Sequence, residues 1–182
     1  VDGVVYCEPL AFIPEARTDE KSATERVDYR HFIKQMQCVA CGDRVVDYAV
    51  IEEYVMKIEE QYGVKIIDIG YDRRNAMSSA QKWERAGYNV TEVEQHSRTL
   101  HAPRKLLKEC ILNHQFLYKA NELYEINYQN AKCTEDTNKN KYVNKKRSAG
   151  KVDMVVATII AVYIMQQHEI FDTGLDWGIQ TA

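Results

Sequence analysis

The chain has 182 residues, 45% of them hydrophobic and 28% charged, with a formal net charge of −3. This composition is ordinary for a globular domain long enough to bury roughly 70% of its unfolded surface. The charge argues against a protein coated in positive charge for nucleic acid, while leaving room for a local basic patch. No apolar run reaches the roughly 18 to 20 residues that a membrane helix needs. The longest, Met154 to Met165, is twelve residues and reads as a core helix. No basic segment followed by an apolar stretch marks a secretory signal. The first residue is Val, so a fragment or a processed chain is expected, forming one domain over 1–182. The five cysteines (Cys7, Cys38, Cys41, Cys110, Cys133) are an odd number and point to a reduced, cytosolic setting. Cys38-Val-Ala-Cys41 has zinc-ribbon spacing, but no second CxxC or nearby His pair completes four ligands. An edge strand with two incidental thiols is expected instead.

In chain order, Gly3 to Ile13 is a strand-like apolar run closed by Pro14, and the charged residues 15–28 read as a solvated loop or short helix. Tyr29 to Gln37 has helical spacing in Phe32, Ile33 and Met36. Cys38 to Ala40 is a short strand, and Gly42-Asp43 a turn. Asp47 then N-caps a helix with Ile51, Tyr54, Val55 and Ile58 on one face, which Gly63 stops. The apolar run Val64, Ile66, Ile67, Ile69 predicts a buried strand over 64–72, ending on Asp72. A helix over about 76–86, a Gly87 stop and a strand over 88–93 follow. Residues 95–103, with His96, Arg98 and His101, are polar and irregular and predict a loop. Next come a helix over 105–112, a strand over 116–118 and a helix over 120–128. The polar, Lys- and Asn-rich stretch 131–151 suits a β-hairpin or a flexible loop. A last helix begins at Lys151-Val-Asp153 and is apolar nearly all round, so it should be buried. The tail after about 168 carries no usable pattern. The alternation of strands and helices predicts an α/β architecture with a parallel portion to its sheet.

Two acids carry candidate chemistry. Asp72 stands at a strand's C-terminal end, where open α/β sheets bind ligands and metals. Asp153 opens an apolar helix. N-capping is the plain alternative for each. Together, two carboxylates on rigid elements suit hard divalent cations and two-metal phosphoryl transfer. Upstream of Asp153, Lys139, Lys141, Lys145, Lys146, Arg147 and Lys151 fall within thirteen residues that contain no acid. Such a cluster suits phosphate backbones, with a solvated loop as the alternative.

At this point the sequence resembles a family. GYDRRNA at 70–76 and KKRSAGKVDMVVA at 145–157 are similar to the two nuclease motifs of phage large terminase subunits. The runs GVVYCEPLAFIP at 3–14, GDRVVDYAVIEEYV at 42–55 and the polar, basic stretch 95–105 resemble family segments in the same order. The likeness covers roughly residues 3–167. It implies the C-terminal nuclease domain of a DNA-packaging motor, with an RNase H-like α/β fold: a mixed central sheet flanked by helices. Such domains cut concatemeric double-stranded viral DNA with Mg²⁺ or Mn²⁺. The resemblance makes Asp72 and Asp153 the second and third acids of the metal site. It also makes Lys145, Lys146, Arg147 and Lys151 a DNA-binding hairpin, which Arg98 joins.

The family's first metal-binding acid lies on a strand before the one that opens this chain, and Asp2 precedes the wrong strand to match it. Asp68, with the same strand parity as Asp72, is a candidate substitute. No GxxxxGK[ST] phosphate loop occurs, so the chain reads as a nuclease domain truncated at its N-terminal edge. In the full protein, the resemblance implies an ATPase domain, a small terminase subunit and a portal as partners, no membrane, and the cytoplasm of the infected host cell as the location. The alternatives are another RNase H-like enzyme, such as a resolvase or transposase core, and a non-catalytic DNA-binding or motor-assembly module.

Overall fold

A computed structural model describes residues 3–168. The tail beyond about 168 and Asp2, both singled out in the sequence, lie outside the described residues.

The expected alternation of elements is present. The run closed by Pro14 splits into β1 (Val5–Cys7) and β2 (Ala11–Ile13), with Pro9, which has no N–H to give a ladder, between them. A 3-10 turn and α1 (Thr18–Glu25) follow, then α2 (Tyr29–Lys34) and β3 (Cys38–Ala40). Asp47 caps α3 (Tyr48–Tyr62), its carboxylate accepting from the Ala49 N–H at 2.9 Å, and Gly63 ends that helix in the left-handed conformation at φ 63°. β4 is Ile69–Tyr71, α4 Arg73–Arg85 and β5 Val90–Glu92. Then come α5 (Ser97–Leu112), β6 (Phe116–Tyr118), α6 (Glu122–Asn130), the strands β7 (Cys133–Glu135) and β8 (Lys141–Val143), and α7 (Asp153–Gln167).

The sheet is mixed. β1 pairs with β6, β2 with β3 and β4 with β5, all in parallel, while β7 and β8 form an antiparallel hairpin. Among the described residues these are four separate two-stranded ladders. Helix α7 joins them. On one side it packs with α5 and Val93 through Val155, Val156, Ile159, Ile160, Val162 and Ile164. On the other, Met154 reaches a second cluster of Ile13, Tyr29, Phe32, Cys38 and Leu123. Burial pushes the Cys38 thiol up to about 12, with Cys41 beside it adding to the effect, so it stays protonated as a core residue.

Two expectations need correction. The strand predicted over 64–72 is ordered as a strand only at its C-terminal end, and Val64 and Ile67 are about half exposed. Only the segment from Ile69 finds a partner strand, because its register with β5 begins at Val90. The predicted loop at 95–103 is instead the first half of α5. His96 caps it, with its ring Nδ1 accepting from the Arg98 N–H at 3.2 Å, and Pro103 is tolerated inside it because its ring is fully buried in the core.

β4 lies close on α7 at Gly70. A Cβ at this position would meet Ile164 at 2.7 Å and Ile160 at 2.8 Å, both branched side chains already fixed in the core. We therefore expect Gly70→Val to lower unfolding free energy by about 1–3 kcal/mol through overpacking, measured by urea denaturation. An unchanged midpoint would mean that β4 does not bear on α7.

Candidate nuclease site and its comparisons

A cleft of about 650 Å³ runs between β4 and α7, and Asp68, Asp72, Lys145, Asp153 and His168 all line it. Asp72 leaves the end of β4 and caps α4, its Oδ1 accepting from the Arg74 N–H at 3.1 Å. The capping role considered for Asp72 is therefore real, and it leaves the second carboxylate oxygen for other ligands. Asp153 differs. It is the first residue of α7, yet makes no capping hydrogen bond. The buried Asn127 of α6 does that work instead, its Oδ1 accepting from the Met154 N–H at 3.3 Å. The Asp153 carboxylate is thus available and accepts from Lys145 Nζ at 2.6 Å.

Asp68 lines the same cleft four residues before Asp72, just outside β4. Its Oδ2 accepts from Thr91 Oγ1 at 2.9 Å and lies 2.8 Å from His168 Nε2. Its Oδ1 is buried without a hydrogen-bond partner among the described residues. Among those residues, no three His, Cys, Asp or Glu side chains are gathered closely enough to hold a metal ion.

The basic cluster divides in two. Lys145 lines the cleft beside Asp72 and Asp153, with Lys146 and Arg147 exposed on the same turn. Lys151 instead lines a second cleft of about 900 Å³ on the far side of Asp153, 3.8 Å from Glu25 Oε1. Asn144 builds the turn. Its Oδ1 accepts from the N–H groups of Lys146 and Arg147, and its Nδ2 donates to Thr134 Oγ1. Arg98 is exposed on the first turn of α5.

Sequence reading missed the mount of the hairpin. Ser97, His101 and Arg104, spaced i, i+4 and i+7 along α5, face it together. Ser97 Oγ donates to Asp136 Oδ2 at 2.6 Å, the Lys141 N–H donates to His101 Nδ1 at 2.8 Å, and Arg104 Nε donates to the Lys141 carbonyl at 3.2 Å. The helix thereby satisfies the outer edge of β8 as a third strand would. In sequence the stretch reads as a loop because it is polar and irregular.

A family model for the terminase large subunit endonuclease domain matches residues 1–169. The chain belongs to that family. The fold agrees: the crystal structure of the large terminase of bacteriophage HK97 superposes with a TM-score of 0.76 at 17% identity, covering 84% of this chain and 32% of that one. The fold of this terminase nuclease domain is accordingly RNase H-like, and the chain spans about a third of the length of the solved terminase it matches. No curated protein matches. Motif order, rather than overall identity, therefore carried the resemblance from residue 3 onward.

The Ser97 hydroxyl, with further hydrogen bonds from Asn140 and Asn138, holds the Asp136 carboxyl at about 2, below its ordinary 3.8. A depressed carboxyl contributes stability that is present above the unfolded-state value and is lost as pH falls through the folded one. The order of the hairpin should therefore fail between pH about 4 and about 2. Ser97→Ala should move that loss to higher pH, read by hydrogen exchange at Lys141 and Asn140. Identical profiles for the two proteins would remove Ser97 from the mount.

Proposed function

We propose that this domain is a divalent-metal-dependent endonuclease that hydrolyses phosphodiester bonds in double-stranded DNA, acting on concatemeric viral DNA during packaging. Membership of the terminase endonuclease family supports the reaction class. The observation that carries the site is the shared cleft in which Asp72, Asp153 and Lys145 meet.

The donor chemistry fits a hard cation. Asp72 and Asp153 are carboxylates, the ligand type that Mg²⁺ and Mn²⁺ prefer, and Asp153 already holds a positively charged group, the Lys145 ammonium. In this reading Asp72 and Asp153 hold the ions. Bound Mg²⁺ or Mn²⁺ would supply Lewis acidity for attack by water and for the departing oxygen. The chain's own part is positional. β4 and α7, locked together at Gly70, fix the two carboxylates, and the turn at 144–148 carries Lys145, Lys146 and Arg147 beside them to bind DNA phosphates. Lys151, in the second cleft near Glu25, and Arg98, on the first turn of α5, are separate cations for DNA in this reading. Asp68 lines the same cleft in contact with Thr91 and His168, and among the described residues it forms no cluster of three ligands with Asp72 and Asp153. The whole protein would join this domain to an ATPase, a small subunit and a portal, in the cytoplasm of the infected cell.

Nicking of supercoiled plasmid in Mn²⁺ should fall by on the order of a hundredfold or more in Asp72→Ala and in Asp153→Ala, with an unfolding midpoint near that of the parent in Asp153→Ala and a stability loss of about 1 kcal/mol in Asp72→Ala, from the missing α4 cap. Cutting that persists in both variants would sink the site. DNA binding with no cutting in any divalent metal would favour a non-catalytic packaging module. Changing Lys145, Lys146 and Arg147 together to Glu should weaken DNA binding and flatten its salt dependence, each lost phosphate contact lowering the slope by about 0.9.

A further inference from the structure

The contact between Lys145 and Asp153 has a consequence for how metal and DNA reach the site. Lys145 Nζ lies 2.6 Å from Asp153 Oδ1, within the cleft that Asp72 also lines. The two side chains are 55% and 61% exposed, so the pair is a surface ion pair, which is weak and readily exchanged. The turn that carries Lys145 is by contrast firmly built. Asn144 accepts two backbone N–H groups, the Asn144 N–H donates to the Lys132 carbonyl at 2.9 Å, and Ser148 Oγ donates back to the Asn144 carbonyl at 2.8 Å. A firm mount and a labile tip suit a side chain that swings between two partners.

We propose that Lys145 is an exchangeable counter-ion: it neutralises Asp153 when no metal is bound and is released to a DNA phosphate when a divalent cation takes the carboxylate. This deepens the metal-site reading above and rests on it. Three facts on the molecule support the exchange. Asp153 makes no capping bond that would occupy it, because Asn127 caps α7 in its place. Lys146 and Arg147 on the same turn are exposed, so further positive charge lies within two residues of Lys145. Asp72 lines the same cleft and, among the described residues, accepts the Arg74 N–H on one of its oxygens and forms no ion pair with a rival cation. The exchange also makes metal and DNA help each other. Cation binding frees a positive charge for the phosphates, and by linkage DNA raises cation affinity by the same factor.

The test is Mn²⁺ binding to the DNA-free protein, by calorimetry or by loss of the free-ion electron paramagnetic resonance signal. Lys145→Met should bind Mn²⁺ about two- to fivefold more tightly than the parent, the range an exposed ion pair allows. Lys145→Arg, which keeps the charge, should bind as the parent does. Lys146→Met, a neighbouring charge without the contact, should shift affinity less than Lys145→Met. Equal shifts in the two Met variants would overturn the exchange, since bulk charge would then explain them. Unchanged affinity in Lys145→Met, together with loss of binding in Asp153→Asn, would overturn the exchange while leaving the metal site intact. No Mn²⁺ bound by the parent protein would remove the metal-site reading and the exchange with it.

Discussion

The site depends on one close approach. β4 can lie against α7 only because Gly70 has no side chain, since a Cβ there would stand 2.7–2.8 Å from Ile164 and Ile160. That contact sets how far Asp72, at the end of β4, stands from Asp153, at the start of α7. Two short parallel strands have little stability alone, so β4 and β5 rely on the helix for the burial that parallel sheets need. The carboxylates are therefore positioned by an apolar contact about two residues away from the first of them, and the chemistry sits at the edge of the packing.

The second organising device is the division of labour at the N-terminus of α7. A helix start leaves N–H groups to be satisfied, and an acid at the first position commonly helps. Here Asn127, reaching over from α6, accepts the Met154 N–H, and Tyr124 and Thr158 bond across the same interface at 2.7 Å. These buried polar bonds fix the end of α7 against α6 and leave the Asp153 carboxylate to face the cleft. The same economy appears in the hairpin, where α5 supplies side chains to the edge of β8, and the basic turn gains a fixed position without a third strand.

Both devices bear on how metal and DNA would meet. The clefts on the two sides of Asp153 share Ala157 and Ala161 on their floor, so α7 presents its acid between two surfaces. Lys145 approaches from one and Lys151 from the other, where Glu25 holds it. The basic run that looks uniform in sequence thus serves two different surroundings.

By itself, the sequence determined the order of the elements, the capped helix between Asp47 and Gly63 and the buried α7, because each rests on local propensity or on an apolar pattern, while it left 131–151 open between a hairpin and a flexible loop. It also singled out Asp72 and Asp153, since an acid at a strand end and one at the head of an apolar helix stand out against their neighbours. Only the tertiary structure decided that α5 begins at Ser97, because the polar side chains that made 95–103 read as a loop bond to the hairpin while Leu100 and Pro103 enter the core. Only it gave Asp68 its partners, Thr91 and His168, which lie far from it in the chain. The partners Asn127, Ser97, His101 and Arg104 were likewise invisible, because their bonds cross between elements far apart in the chain, and no local pattern encodes a contact that packing creates.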